Sequence, residues 1–346
     1  MSALDPDAPL LQVRDLSVHF PTPDGLVKAV DGVTFTLESG DTLGVVGESG
    51  SGKSVTFMTV MGLINRKTAE VSGEVLFRGV DLLSMPAGQL RRLRGENIGM
   101  VLQDPMTSMH PMYRVGDQIA EGVRAHRSVS RRVAGEMAVE ALRQVGIPAP
   151  EERARGYPHE FSGGMRQRAM IAMALVLDPD LLIADEPTTA LDVTVQAQIL
   201  ELIAEMKERL DIGVVLVSHN LGVIADVAQQ VMIMYAGRPV EVGTRDEIFR
   251  APHHPYAWGL LESIPRPDLR VERLLPIPGA PPSLIHKPPG CSFHPRCPHR
   301  FERCDKVDPP LVDPDGSGHR DACLLSLEDK RRLWAERVRR FQDAAA

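Results

Sequence analysis

The chain has 346 residues, 43% of them hydrophobic, and a formal net charge of −7, which predicts about two globular domains able to bury a large core. Acidic and basic residues are mixed along the chain with no long basic run. This argues against nucleic acid as the main partner, because phosphate backbones bind clustered Lys and Arg. No apolar run approaches the ~20 residues that span a bilayer. The acidic N-terminal segment also lacks a signal-peptide layout, so we expect a cytoplasmic chain whose membrane role comes only through a partner.

The first patterned stretch predicts two strands joined by a turn. Leu11 to Phe20 alternates between apolar and polar residues, a turn follows at Pro21 to Gly25, and Val27 to Leu37 returns as a second strand. Phe20 is compatible with two interpretations, an aromatic ring that stacks on a nucleotide base or a core residue at the end of a strand.

A glycine-rich loop follows the apolar run Thr42 to Val46 and precedes an apolar stretch that begins at Val55. The loop has the G-x-x-x-x-G-K-[ST] spacing of a P-loop between a strand and a helix; it consists of Gly47, Glu48, Ser49, Gly50, Ser51, Gly52, Lys53 and Ser54. Its backbone N–H groups and the helix N-terminus suit phosphate. We expect Lys53 to reach the β- and γ-phosphates and the Ser54 hydroxyl to bind Mg²⁺. A nucleoside triphosphate is the predicted ligand.

The next segment predicts a small antiparallel sheet and then a helical insertion. Val71 to Leu83 alternates like a hairpin, and Ile98 to Leu102 reads as a buried strand that ends just before Gln103. From about Met106 to Glu160 the apolar spacing becomes helical. We expect this block to be inserted between two parts of the nucleotide-binding core.

A second helix start carries a possible phosphate-facing surface. Ser162 is a good N-cap for the helix that continues through the Ala- and Met-rich segment to Leu177. Gly163 and Gly164 leave backbone N–H groups bare at the positive end of that helix. The same pattern is compatible with a helix that is only capped.

Two further apolar strands end in polar residues. Leu181 to Asp185 is followed by Glu186, and beside a P-loop such an Asp binds Mg²⁺ while the Glu orients and deprotonates a water molecule; solvated turn acids are the alternative. Asp192 precedes an amphipathic helix. Val214 to Val217 ends before His219, where open α/β sheets place ligands, although a lone histidine at a strand end is more often structural.

The C-terminal region is rich in proline and then in cysteine. Ile264 to Pro289 predicts an ordered linker that wraps over the protein without regular structure. Four cysteines follow with C-x5-C-x6-C-x18-C spacing, namely Cys291, Cys297, Cys304 and Cys323. Thiolates suit an iron–sulfur cluster or Zn²⁺, and unliganded thiols are the third possibility.

Six of these stretches, in this order, resemble the motifs of the ATP-binding cassette (ABC) ATPases. The matching segments are the Walker A loop Gly47 to Ser54, the Q-loop residue Gln103, the signature Ser162-Gly163-Gly164-Met165, the Walker B strand Leu181 to Glu186, the D-loop Ala190-Leu191-Asp192 and the switch residue His219. The resemblance covers about residues 10 to 250. It implies an α/β fold with a P-loop core of mixed sheet and helices, an antiparallel β subdomain and a helical subdomain at about 106–175.

The signature and the tail indicate a subfamily. Met165 stands where the general family has Gln, as is usual in the oligopeptide/dipeptide importer ATPases. The segments His254-Pro255-Tyr256, Ile277-Pro278-Gly279 and Arg296-Cys297-Pro298 resemble the tail of that group. The resemblance implies a nucleotide-binding domain at 1–250 and a small irregular, cysteine-containing domain at 251–346. Nickel and glutathione importers have similar motifs, and a soluble ABC ATPase outside transport is a further alternative.

The resemblance also implies a set of site residues and partners. The residues expected to bind ATP are Phe20, Gly47, Glu48, Ser49, Gly50, Ser51, Gly52, Lys53, Ser54, Val55, Gln103, Ser162, Gly163, Gly164, Asp185, Glu186, Asp192 and His219. Glu186, His219, Lys53 and Gln103 are the expected catalytic residues, and Ser54, Gln103 and Asp185 the Mg²⁺ ligands. Cys291, Cys297, Cys304 and Cys323 are expected to hold a [4Fe–4S] cluster.

The implied assembly is an importer at the cytoplasmic face of the cell membrane. It contains a second, different ABC ATPase subunit, so that each ATP is covered by the signature of the other subunit. Two transmembrane permease subunits and an extracytoplasmic substrate-binding protein complete it, and nucleic acid is not among the expected partners.

Overall fold

The structure is a computed structural model that describes residues 4–104, 108–189, 191–263 and 277–345. Two residues named in the sequence analysis, Met106 and Ala190, lie outside the described residues, as does 264–276 of the predicted linker. No helix in the described ranges is long and apolar enough to cross a bilayer.

The strands lie close to where the sequence predicts them. In chain order they are β1 Leu11–Thr22, β2 Gly25–Leu37, β3 Thr42–Val46, β4 Glu70–Phe77, β5 Val80–Asp81, β6 Ile98–Val101, β7 Leu181–Asp185, β8 Gly213–Ser218, β9 Gln230–Tyr235, β10 Arg238–Thr244 and β11 Arg320–Asp321. The predicted hairpin is confirmed, since β4 and β5 pair antiparallel.

The helices confirm the predicted helical block, and two more lie in the described part of the tail. We number them α1 Lys53–Val60, α2 Ala87–Glu96, α3 Val115–His126, α4 Arg131–Gln144, α5 Pro150–Arg153, α6 Gly163–Leu175, α7 Val193–Leu210, α8 Leu221–Ala225, α9 Arg245–Arg250, α10 Pro255–Glu262 and α11 Leu327–Ala345. Short 3₁₀ turns lie at Pro158–Glu160 and His294–Arg296.

The chain folds into two compact units. One comprises the residues up to 12 together with 36–42 and 76–217, and the other comprises 13–35, 43–75 and the residues from 218 onward. The P-loop and the C-terminal tail therefore belong to the same unit. The domain boundary after residue 250 remains a prediction.

The first unit places strand ends side by side. Its strands run in the order β8-β7-β6, and both neighbouring pairs are parallel. All residues of β7 are buried, as expected for an apolar strand in a parallel sheet. In the helical block, α3 and α4 share an apolar cluster built on Val123, Ala134 and Leu177.

The second unit builds a mixed sheet around the P-loop strand. The strand order is β3-β9-β10-β11, in which β3 and β9 are parallel and the other neighbours are antiparallel. The sequence analysis did not predict β11 or α11. A two-residue strand is too short to show a period of two, and α11 is rich in charged residues.

A buried polar network joins the tail to β10. The Glu241 carboxylate is fully buried and accepts hydrogen bonds from the backbone N–H groups of His253 and His254 at 2.6 and 2.8 Å. His319 Nε2 lies 2.8 Å from the same carboxylate. Asp321, on β11, pairs with Lys330 of α11 at 2.7 Å. Because buried charges are costly without partners, these pairs fix the position of the tail within the unit.

Candidate functional site

The P-loop requires glycine at positions where backbone approaches backbone. Gly52 has a φ of +98°, and a Cβ there would lie 2.3 Å from the carbonyl oxygen of Ala29. A Cβ on Gly47 would lie 2.2 Å from the carbonyl oxygen of Met234. Since real Cβ contacts of this length do not occur, no other residue fits at either position. The loop leads directly into α1, whose N-cap is Gly52, so no side chain occupies the helix N-terminus.

Lys53 folds back over the loop that precedes it. Its side chain is buried, and Nζ donates hydrogen bonds to the carbonyl oxygens of Gly47 at 2.7 Å and Glu48 at 3.1 Å. Ser51 Oγ is also buried and has no hydrogen-bond partner among the described residues. A cation and a buried polar atom without a partner suit a loop that receives a polar, anionic ligand.

Neighbouring segments of the second unit support the P-loop. The N–H of Gly237, in the turn between β9 and β10, donates to the carbonyl of Ser51 at 3.0 Å. The tail contributes Arg296, which forms an ion pair with the Glu48 carboxylate at 2.6 Å. It also contributes Tyr256, whose hydroxyl accepts the Glu48 N–H at 3.0 Å.

In the first unit, the ends of β6 and β7 bring two predicted catalytic residues together. The strands are parallel, with Val101 opposite Ala184, so the residues that follow them emerge at the same edge. Gln103 Nε2 donates to Glu186 Oε2 at 2.9 Å, and Thr189 Oγ1 donates to the same oxygen at 2.9 Å. The Glu186 carboxylate is thereby oriented by two neutral donors.

Asp185 and Glu186 differ in backbone and burial. Asp185 closes β7 with 3% of its surface exposed. Glu186 adopts a left-handed conformation with φ of 49°, which is unfavourable for a residue other than glycine. Its N–H donates to the carbonyl of Val217 at 2.9 Å. Such conformations cluster at functional sites, where surrounding contacts hold them.

The signature segment begins α6 as the sequence predicts. Ser162 is the N-cap, and its Oγ accepts the N–H of Met165 at 3.3 Å. A Cβ on Gly164 would lie 2.8 Å from Cγ1 of Val195, so glycine permits close packing against α7. Asp192 caps α7 through a 3.0 Å hydrogen bond from Val195. The predicted N-cap at Ser162 is confirmed, while nucleotide contacts of these residues remain predictions.

The remaining predicted nucleotide contacts belong to the second unit. His219 is exposed directly after β8. Val55 lies in the first turn of α1. Phe20 is half-buried in β1, two residues before the strand ends. Both interpretations of Phe20 stay predictions.

The four cysteines are thiols in a polar, partly buried segment. Burial, together with neighbouring thiols, raises the pKa of Cys291 and raises that of Cys297 to about 11. Burial raises the pKa of Cys323 to about 12. Within the described part of the chain, no three His, Cys, Asp or Glu side chains are arranged to hold a metal ion. The geometry therefore does not fit the [4Fe–4S] or Zn²⁺ site expected from the spacing.

The fold and the candidate site together identify the class of protein as an ATPase of the ABC type. The described helices and strands resemble those of two solved cassettes. One is cbiO1 of Clostridium perfringens, part of the ABC transporter complex cbiONQ; it is 27% identical, with a TM-score of 0.60, over 70% of this chain and 91% of that one. The other is the dimeric cassette MJ0796 bound to ADP and phosphate, with a TM-score of 0.61 over 68% of this chain and 98% of that one; at 23% identity it supports the fold alone.

Comparisons of sequence place the chain in a family. An ABC transporter model matches residues 30–189, and a model of the oligopeptide/dipeptide transporter C-terminal region matches 240–304. The chain is 52% identical to the dipeptide transport ATP-binding protein DppD of Bacillus subtilis over 87% of its length and 90% of the relative. It is 48% identical to the oligopeptide transport ATP-binding protein OppD of Escherichia coli over 92% and 94%. The chain belongs to the oligopeptide/dipeptide family of ABC transporter ATPases.

The sequence analysis missed three residues that contact the predicted site residues. Thr189 bonds Glu186, and Tyr256 and Arg296 bond Glu48. The segments that contain Tyr256 and Arg296 were recognised only as marks of the subfamily. Nothing in the sequence indicated that they contact the P-loop, which lies more than 200 residues away along the chain.

Proposed function

We propose that this ATPase is the ATP-hydrolysing subunit of a membrane importer for dipeptides or oligopeptides. The observation that carries this proposal is the similarity of almost the full chain, tail included, to ATP-binding proteins of dipeptide and oligopeptide transport. The oriented Glu186 carboxylate supports active hydrolysis rather than mere nucleotide binding.

Within this proposal, the predicted site residues bind the phosphates, bind Mg²⁺, activate water or contact the base. Lys53 and the backbone N–H groups of the P-loop bind the β- and γ-phosphates. Ser54, Gln103 and Asp185 offer oxygen ligands of the kind that Mg²⁺ prefers, and Mg²⁺, when bound, neutralises phosphate charge. Glu186 accepts a proton from the attacking water, and His219 contacts the γ-phosphate. Phe20 stacks on the base.

The proposed assembly is peripheral at the cytoplasmic face of the membrane. A second, related ATPase subunit pairs with this chain, and Ser162, Gly163, Gly164 and Asp192 act on the nucleotide held by that subunit. Two permease subunits receive the conformational change, and an extracytoplasmic binding protein delivers the peptide. The exposed Met112 and Tyr113, close after the Q-loop, support the helical subdomain as the surface that meets the permeases.

The [4Fe–4S] cluster in the tail stays a prediction that the resemblance to the importer family implies. What supports it is the similarity of residues 240–304 to the C-terminal region of oligopeptide/dipeptide transporters. What opposes it is that, among the described residues, no three His, Cys, Asp or Glu side chains are arranged to hold a metal ion. Iron and acid-labile sulfide analysis of anaerobically purified protein tests it. About four of each per chain supports a [4Fe–4S] cluster, stoichiometric zinc supports the alternative, and neither metal supports unliganded thiols.

The substrate class is tested in the reconstituted transporter. Proteoliposomes that contain the chain, its partner ATPase, the permeases and the binding protein are given labelled tripeptide, Ni²⁺ or glutathione, each with ATP inside. We expect uptake of the labelled tripeptide and ATP hydrolysis that depends on the tripeptide. Uptake of Ni²⁺ or glutathione in its place would contradict the peptide assignment. Glu186→Gln in the same vesicles is the control for uptake that does not depend on hydrolysis.

A further inference from the structure

Glu48 contacts the C-terminal tail through two of its groups and Lys53 of the P-loop through a third. Its carboxylate accepts two hydrogen bonds from Arg296, at 2.6 Å from Nη1 and 2.9 Å from Nη2. Its N–H donates to the Tyr256 hydroxyl, and its carbonyl oxygen accepts from Lys53. The P-loop residue that contacts the phosphate-binding lysine is thus also held by the tail.

Arg296 is fixed in the position from which it reaches Glu48. Its Nε donates to the carbonyl of Pro278 at 2.9 Å, and Nη2 lies 3.3 Å from the carbonyl of Ile277. Nη1 lies 3.3 Å from the Tyr235 hydroxyl. Only 5% of the Arg296 side chain and 27% of the Glu48 side chain is exposed. A bidentate guanidinium–carboxylate pair of this kind is directional, and a lysine side chain cannot reproduce it.

The charge of Glu48 gives this pair a consequence for ligand binding. A carboxylate in a loop that binds polyphosphate repels the ligand, most strongly where water is excluded. Arg296 offsets that charge, and the Glu48 carboxylate in turn raises the pKa of Arg296 above its ordinary value, so the guanidinium stays charged. The tail therefore supplies the cation that offsets the Glu48 carboxylate, because Lys53 of the P-loop pairs with the backbone carbonyls of Gly47 and Glu48 instead.

We propose that Arg296 is a positioning residue of the nucleotide site, which neutralises and orients Glu48 so that the P-loop accepts the phosphates of ATP. The inference rests on the proposed binding of ATP by the P-loop. It makes the tail part of the nucleotide site, rather than an appendage to the ATPase core.

The test compares a single and a double variant of the full-length chain, read out by binding of the fluorescent analogue mant-ATP with Mg²⁺. Arg296→Gln leaves the Glu48 charge unpaired and is expected to weaken binding at least about tenfold. Glu48→Gln added to Arg296→Gln removes the unpaired charge and is expected to restore affinity to within about threefold of wild type. Failure of the double variant to recover would show that Arg296 does not act through Glu48.

A matched control separates this effect from general loss of tail structure. Arg337 is a second arginine of the tail, paired with Glu262 and stacked over Trp258. Arg337→Gln is expected to bind mant-ATP within about twofold of wild type, even where it lowers the unfolding temperature as much as Arg296→Gln. Equal weakening by both variants would overturn the proposal.

Two further variants keep the proposal testable if Arg296→Gln does not fold. Tyr256→Phe removes only the hydroxyl that accepts the hydrogen bond of the Glu48 N–H. Arg296→Lys keeps the positive charge but cannot form the bidentate pair with the Glu48 carboxylate. Each is expected to weaken mant-ATP binding about threefold, and wild-type affinity in both would contradict the proposal. Lys53→Ala tests the underlying assumption, because unchanged binding there would refute the P-loop assignment itself, whatever Arg296 does.

Discussion

Gln103 donates a 2.9 Å hydrogen bond to the Glu186 carboxylate, from the end of one parallel strand to the end of its neighbour. Thr189 donates to the same oxygen. The left-handed backbone conformation of Glu186 and the hydrogen bond from its N–H to the Val217 carbonyl fix the position of this carboxylate after β7. A base that is oriented before the ligand arrives loses little freedom in the transition state.

We expect Glu186→Gln to retain ATP binding and to lose hydrolysis. The amide keeps the size and can still hydrogen-bond to Gln103 and Thr189, but it cannot take a proton from water. The turnover number should fall by about 10²–10³-fold, with mant-ATP affinity within about threefold of wild type. Phosphate release in single- and multiple-turnover assays measures the loss, and undiminished hydrolysis would refute the role of Glu186 as general base.

Thr189→Val tests the orientation of Glu186 without changing Glu186 itself. The variant keeps the shape of the side chain and removes one of the two donors to Oε2. We expect kcat to fall about threefold to tenfold, with KM for ATP nearly unchanged. Thr189→Ser, which retains the hydroxyl, is the matched control. A change in KM alone would show that Thr189 affects ground-state binding instead.

Two glycines of the P-loop should respond differently to alanine. At Gly52 a Cβ would collide with the Ala29 carbonyl at 2.3 Å, whereas at Gly50 nothing lies within 4 Å. Both have positive φ, of 98° and 77°, so both substitutions carry about 1 kcal/mol of backbone strain. Gly52→Ala should lower the free energy of unfolding by a further 1–3 kcal/mol or so. Urea titration measures the difference, and equal losses would contradict the close approach.

The buried pair of His319 and Glu241 predicts a pH-dependent contribution to stability. Burial by itself lowers the pKa of His319, but the hydrogen bond and charge of Glu241, with Glu247 and Asp321 nearby, outweigh it and raise the pKa above 6.5. A group whose pKa is higher in the folded than in the unfolded chain stabilises the fold. This stabilisation is fully present at pH values below the pKa of the unfolded chain, and it is lost as the pH rises through the pKa of the folded chain. The stacked ring of His253 lies 3.8 Å away.

His319→Gln should therefore be more destabilising at pH 6 than at pH 8.5. We expect a loss of about 1–3 kcal/mol in the free energy of unfolding at pH 6, measured by urea titration, and a smaller loss at pH 8.5. His286→Gln changes an exposed histidine and serves as the control. A loss that is equal at both pH values would show that folding does not raise the pKa of His319.

The sequence by itself determined the local features of this protein. Glycine spacing predicted the P-loop, Ser162 and Asp192 predicted helix starts, and apolar periodicity predicted the buried strands, because each signal depends on residues within a few positions of one another. The order of these features was enough to identify the class of ATPase and the candidate site residues.

Only the tertiary structure decided which distant residues meet. The contacts of Glu48 with Tyr256 and Arg296 close loops of 208 and 248 residues, and the pairing of β10 with β11 brings in a strand that has no periodic pattern of its own. Such contacts depend on the packing of whole elements, which no local pattern records. For the same reason the cysteine spacing suggested a ligand set, whereas in the described part of the folded chain no three His, Cys, Asp or Glu side chains are arranged to hold a metal ion.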